Sequence, residues 1–148
     1  MELLHANRQK PILVTGTGFC APLQEFMVRK LLVLGYCAIG SNSYEVYESG
    51  ALNAGLVIAI SKSGKTNTIL KPVQDSFAQH RSIIAFVGAD NSPIARCADP
   101  AFVLLDDKML DDRNLTANYF YARVLITFEY LMDLVLEKDE HPNGKEGQ

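Results

Sequence analysis

Five short apolar runs constrain this chain more than anything else in it. They are Ile12–Val14, Tyr36–Ile39, Leu56–Ile60, Ile83–Val87 and Phe102–Leu105. Each is apolar nearly throughout, with no alternation of polar and apolar positions. A strand with one wet face alternates, whereas a strand covered on both faces does not. The runs therefore predict a parallel sheet buried between helices.

Helical segments fall between the runs, as parallel crossovers require. From Ala21 to Leu34, Phe26, Val28, Leu31 and Leu32 form a broad apolar face, and Gly35 is placed to end the helix. Between Thr66 and Gln79, Ile69, Leu70, Val73 and Phe77 recur at three- and four-residue spacing. Pro93–Ala98 reads as a short helix with Ser92 as N-cap and Pro93 at the first helical position. Tyr44–Ala54 carries a weaker helical signal. The last helix spans Leu115–Leu136, with Phe120, Val124, Thr127, Phe128, Leu131 and Val135 on its apolar face. That face is wide enough to serve both this domain and a partner subunit, or simply to bury a terminal helix.

The pattern predicts an α/β fold, a three-layer αβα sandwich around a five-stranded parallel sheet in the flavodoxin-like order 2-1-3-4-5. Strand order then reverses between strands one and three. Ligands of such sheets bind at the carboxyl ends beside that switch point. A single domain over residues 1–138 accounts for the chain of 148, and the polar tail 139–148 is expected to be disordered.

Composition narrows the function classes. Hydrophobic residues make up 48% and the net charge is -3, so the chain is globular and a poor nucleic-acid binder by itself. No apolar stretch nears the ~20 residues of a membrane span, and the start has no signal-peptide core. Three cysteines without CxxC spacing, two of them in or next to apolar runs, are expected to be buried free thiols, which suits the cytoplasm. The three histidines are scattered, so neither a metal site nor a cofactor is expected.

Both loops at the predicted switch point carry chemistry. Thr15-Gly16-Thr17-Gly18-Phe19-Cys20 follows strand one, and Ser61-Lys62-Ser63-Gly64-Lys65-Thr66 follows strand three. Each is small, glycine-bearing and runs into a helix N-terminus. Glycine permits close backbone approach, the helix end attracts an anion, and hydroxyls donate without bulk. Ser63 and Thr66 could merely cap a helix, but the set of Ser61, Ser63, Gly64 and Thr66 exceeds what a cap needs.

Two other motif readings fail on spacing. Ser63-Gly64-Lys65-Thr66 looks like the end of a P-loop, but the first glycine of that motif would fall on Ala59, inside strand three. Gly16-Thr17-Gly18-Phe19-Cys20-Ala21 fits a dinucleotide fingerprint, yet Ile39-Gly40-Ser41-Asn42 has no carboxylate for the ribose.

Taken together, Gly16–Cys20, Ile60–Thr66 and Ser92–Ala95 with Ala98-Asp99 resemble the sugar isomerase (SIS) domain family, over Pro11–Asp106. The resemblance implies a phosphosugar ligand and a homodimer or higher oligomer. It implies that Ser61, Ser63 and Thr66 hold the phosphate with backbone help from Lys62 and Gly64. Gly16, Thr17, Gly18, Cys20 and Ser41 complete the expected contacts. Cys20 stands where the family commonly has Ser, and Lys65 where it commonly has Glu.

Isomerisation needs a base, and the candidates are Glu45 and Glu48. A His-Gly-Asp stretch typical of the family's isomerases is replaced by Glu45-Val46-Tyr47 and Gly55. The C-terminal helix resembles that of the effector domain of RpiR-type transcription regulators. The expectation is a phosphosugar sensor that reaches DNA only through a domain absent from this chain. A phosphosugar aldose–ketose isomerase is the alternative.

Overall fold

The computed structural model describes residues 1–41, 53–105 and 114–141. The elements are α1 (Glu2–Ala6), β1 (Ile12–Thr15), α2 (Ala21–Val33), β2 (Ala38–Gly40), β3 (Leu56–Ser61), α3 (Asn67–Ala78), β4 (Ser82–Val87), α4 (Pro93–Cys97), β5 (Ala101–Val103) and α5 (Phe120–Glu140). A 3-10 turn, Gly18–Cys20, links β1 to α2. The sheet is parallel throughout, in the order β2-β1-β3-β4-β5. The predicted fold class and strand order are those observed.

The strand runs lack alternation because both faces are covered. Ile12, Val14, Ile58, Ile60, Ile84 and Phe86 point into one core, with Met27 and Leu31 of α2 and Phe120, Val124 and Phe128 of α5. Leu13, Val57, Ala59, Ile83, Ala85 and Val87 point into the other, with Ile69 and Val73 of α3 and Ile94 of α4. Ala59 and Ala85 are small, which suits close approach of a helix to the sheet.

Helix phases differ in part from the periodicity reading. In α2 the buried residues are Leu23, Gln24, Met27 and Leu31, while Phe26 and Leu32 are exposed. The four-residue row Leu23, Met27, Leu31 sets the phase, and Gln24 is drawn inward by a polar role described below. Phe77 of α3 is likewise exposed. The chain leaves α2 through a Schellman turn, in which Gly35 N–H donates to Leu32 O at 3.0 Å and Tyr36 N–H to Leu31 O at 2.9 Å.

At the ends, α1 precedes the first strand where no helix is expected, and it buries Leu4. The last helix starts at Phe120, not Leu115, and continues past Lys138 to Glu140. The expected disordered tail therefore begins with helix. Arg8 Nη1 donates to Asp139 Oδ2 at 2.7 Å, tying that last turn to the segment after α1. This hydrogen bond holds the Asp139 carboxyl below its usual range. No helix among the described residues is long and apolar enough to cross a membrane. The weak helical segment predicted at Tyr44–Ala54 lies largely outside the described residues.

Candidate functional site

The sheet register sets the two loops side by side. Thr15 of β1 pairs in register with Ala59 of β3, and β3 runs on to Ser61. Both loops therefore leave the carboxyl edge of the sheet at neighbouring positions. Thr17 Oγ1 of the first loop lies 3.4 Å from Thr68 Oγ1 in the first turn of α3. Between the loops is a cavity of about 280 Å³, lined by Thr17, Gly18, Cys20, Ser61, Lys62, Ser63 and Thr66 from the expected set. Phe19, Asn114 and Tyr121 also line it. That size is at the small end of ligand clefts, which span roughly 300–1,000 Å³.

The hydroxyls form one cluster. Ser61 Oγ lies 2.9 Å from Thr66 Oγ1, and Ser63 Oγ lies 3.5 Å from the same atom. Thr66 stands at the N-cap position of α3 but makes no side-chain capping hydrogen bond. Its hydroxyl faces the serines, so capping does not explain this residue. A hydroxyl both donates and accepts, so the three can turn their protons toward an arriving anion. The N-terminus of the 12-residue helix α3 adds positive potential.

The backbone groups of the loop bond within the protein. Gly64 N–H donates to Ser61 Oγ at 3.0 Å, within the loop. Gly64 O in turn accepts from Ile94 N–H at 2.9 Å, and Lys62 O accepts from Gly88 N–H at 2.9 Å. The loop after β3 is thus bolted to the end of β4 and to the start of α4. There Ser92 caps the helix as predicted, its Oγ accepting from Ala95 N–H at 3.3 Å.

Other expected residues separate. Gly16 does not line the cavity; its N–H donates to Gln24 Oε1 at 3.0 Å. Ser41 donates to the same oxygen at 2.6 Å and lines a neighbouring cleft with Thr17, Thr68 and Lys71. Gln24 is therefore a buried anchor for the first loop, and a helix-face reading could not single it out. Gln24→Leu leaves two donors without their acceptor. We expect it to cost roughly 2–4 kcal/mol, measured by urea denaturation, since an orphaned buried donor costs about 1–3 kcal/mol and the half-buried Ser41 recovers part of its loss from water. Lys65, which stands where the resembled family commonly has Glu, is exposed and outside the cavity lining, whereas Lys62 is part of it. Glu45 and Glu48 lie outside the described residues.

Cys20 is buried, and burial pushes its thiol up to about 11, against the opposing influence of the Lys62 backbone N–H. It is a neutral thiol at physiological pH and not a nucleophile. Contrary to expectation, Cys37 is exposed and Cys97 only partly buried; all three are free.

The far wall was not foreseen. Tyr121 O–H donates to Asn114 Oδ1 at 2.8 Å, and Lys62 Nζ donates to the same oxygen at 3.3 Å. Tyr121 sits on α5, more than fifty residues from either loop. No local pattern marks it, because its place depends on how α5 packs across the sheet.

No protein-family model matches the chain, and no curated protein matches it in sequence. Solved structures do match. The Vibrio vulnificus NanR protein complexed with ManNAc-6P is 19% identical, with a TM-score of 0.75 over 93% of this chain and 52% of that one. Phosphoheptose isomerase GmhA from Neisseria gonorrhoeae is 15% identical, with a TM-score of 0.72 over 92% and 81%. The sugar isomerase domain of an RpiR transcription factor from Sphaerobacter thermophilus is 17% identical, with a TM-score of 0.59 over 95% and 86%. At these identities the likeness shows the fold alone: the chain shares the parallel α/β fold of these proteins, the RpiR sugar isomerase domain among them.

Proposed function

We propose that this chain binds a phosphorylated sugar in the cytoplasm and serves as the effector-sensing module of a sugar-responsive transcription regulator. Ser61, Ser63 and Thr66 hold the phosphate, with Thr17, Gly18 and Cys20 closing the opposite side. The observation that carries this reading is the convergence of three hydroxyls, linked through Thr66 Oγ1, and a helix N-terminus on one small cavity. The described lining holds hydroxyls, an ammonium, an amide and an aromatic pair, which is the composition of an anion cradle. NanR with its sugar phosphate ManNAc-6P and the RpiR domain support a sensing role by analogy of fold.

Sensing then works by linkage: the sugar phosphate favours one arrangement of a homodimer and shifts its population. The dimer contact is assigned to Ile126 and Tyr130, exposed on the side of α5 away from buried Val124 and Phe128, with exposed Tyr119 just before the helix. DNA contacts belong to a domain outside this chain.

Calorimetric titration with a panel of sugar phosphates, beside a turnover assay on the same panel, tests the proposal. Binding without turnover is expected, with about 2.7 kcal/mol of added stability at 100 times the dissociation constant. Rapid isomerisation abolished by Glu45→Gln or Glu48→Gln would replace it with the isomerase reading favoured by the likeness to GmhA. Sedimentation of a strict monomer, with or without ligand, would remove the linkage mechanism.

A further inference from the structure

Phe19 sits at the tip of the first loop with 61% of its surface exposed, yet it lines the cavity. A large aromatic ring left in water beside a polar cleft is a natural platform for a ligand with an apolar face. The ring is backed and steadied. Its centroid lies 5.9 Å from that of Tyr121, with the planes inclined by 32°. Tyr121 is held in turn by an edge contact with buried Phe120, at 5.4 Å and 79°, and by its hydrogen bond to Asn114. Asn114 Oδ1 also receives Lys62, so this wall joins aromatic surface to polar groups.

The cavity therefore has two ends of different chemistry. One is a cluster of hydroxyls suited to a dianion. The other is a preorganised aromatic surface rimmed by polar groups. A closed sugar ring matches the second end, because it carries hydroxyls around its edge and C–H groups on its faces. An open-chain sugar presents no flat C–H face, and it loses more rotational freedom on binding. We propose, resting on the phosphosugar reading above, that Phe19 is a specificity-determining residue which stacks on the C–H face of the sugar ring and selects cyclic over open-chain sugar phosphates.

The test uses calorimetry on the full chain with four probes: glucose 6-phosphate, ManNAc-6P, the acyclic sorbitol 6-phosphate and inorganic phosphate. At least one cyclic probe is expected to bind roughly tenfold more tightly than sorbitol 6-phosphate. Phe19→Ala is expected to weaken that cyclic probe by roughly five- to tenfold while leaving sorbitol 6-phosphate and inorganic phosphate unchanged. Phe19→Tyr should keep the preference. Phe19→Leu, which retains apolar bulk without a flat face, should lose most of it. Phe19 is exposed, so these variants should melt with the wild-type protein.

Equal affinity for cyclic and acyclic probes in the wild-type chain overturns the inference but leaves the phosphate cradle standing. So does a Phe19→Ala variant that binds every probe as the wild type does, or one that weakens all four alike. Absence of binding by any phosphorylated probe overturns the phosphosugar reading, and this inference falls with it.

Discussion

Ser63→Ala combined with Thr66→Val should reduce sugar phosphate affinity by about a thousandfold or to the point of no detectable binding. A hydrogen bond to a charged group contributes roughly 1.5–3 kcal/mol, so two amount to roughly 3–6 kcal/mol. The fold should lose little, because the buried Ser61 hydroxyl keeps its bond from Gly64 N–H when its Thr66 partner goes. Ser63 and Thr66 are only half-buried, and Thr66 makes no side-chain capping hydrogen bond to α3. The melting temperature of the ligand-free variant should therefore stay close to wild type, and valine keeps the shape of threonine. Ser61→Ala is a useful contrast. Ser61 is 1% exposed and its Oγ accepts from Gly64 N–H, so this variant should lose stability as well as binding, by about 1–3 kcal/mol. Titration with a sugar phosphate and a thermal melt separate the two effects. Near-normal affinity in the Ser63, Thr66 double variant would mean that the phosphate does not sit among these hydroxyls.

Gly64→Ala should be the most damaging single change in the loop. Gly64 adopts φ +69°, a left-handed conformation that costs L side chains energy. A Cβ there would also overlap Ser92 Oγ and Cβ, both held in place by the cap of α4. Backbone strain of roughly 1–2 kcal/mol and overpacking of roughly 1–3 kcal/mol together predict a loss of about 2–5 kcal/mol. For a chain of this size that is a drop in melting temperature on the order of 10 °C. Ligand affinity should fall too, because the loop carries Ser61 and Ser63. Gly18→Ala supplies the control. Gly18 has φ +57°, but a Cβ there meets nothing within 4 Å. It should cost only the backbone strain, about 1–2 kcal/mol. If the two variants melt together, the packing of the loop against Ser92 contributes nothing to stability.

The parts of this protein that were legible in its residues are those governed by short-range rules. A strand buried on both faces must be apolar at every position, so Leu56–Ile60 and Ile83–Val87 announce a covered parallel sheet without reference to anything distant. Strand order was legible at one remove. Chemistry concentrated after strands one and three implies a switch point between them, and the sheet has it. The turn chemistry at Gly16–Cys20 and Ser61–Thr66 pointed to an anion, and the sheet brings the two turns to one cavity.

Where the reading was incomplete, the missing information was long-range. Phe26 and Leu32 looked like core residues by hydrophobicity, but the phase of α2 is decided by which row of side chains the sheet accepts. Gln24 carries no local mark and is the acceptor that holds Gly16 and Ser41. Lys65 and Lys62 were indistinguishable as charges in one loop. Only the path of the backbone turns Lys62 toward Asn114 and leaves Lys65 in solvent.

The residues by themselves determined the layer architecture and the two glycine- and hydroxyl-bearing turns, because burial periodicity and turn chemistry act within a few positions of the chain. Tertiary structure alone decided which atoms of those turns face the cavity and what closes it. That wall, Phe19 with Asn114 and Tyr121, is assembled from segments about a hundred residues apart by the docking of α5 across the sheet, and packing over such separations leaves no local pattern to read.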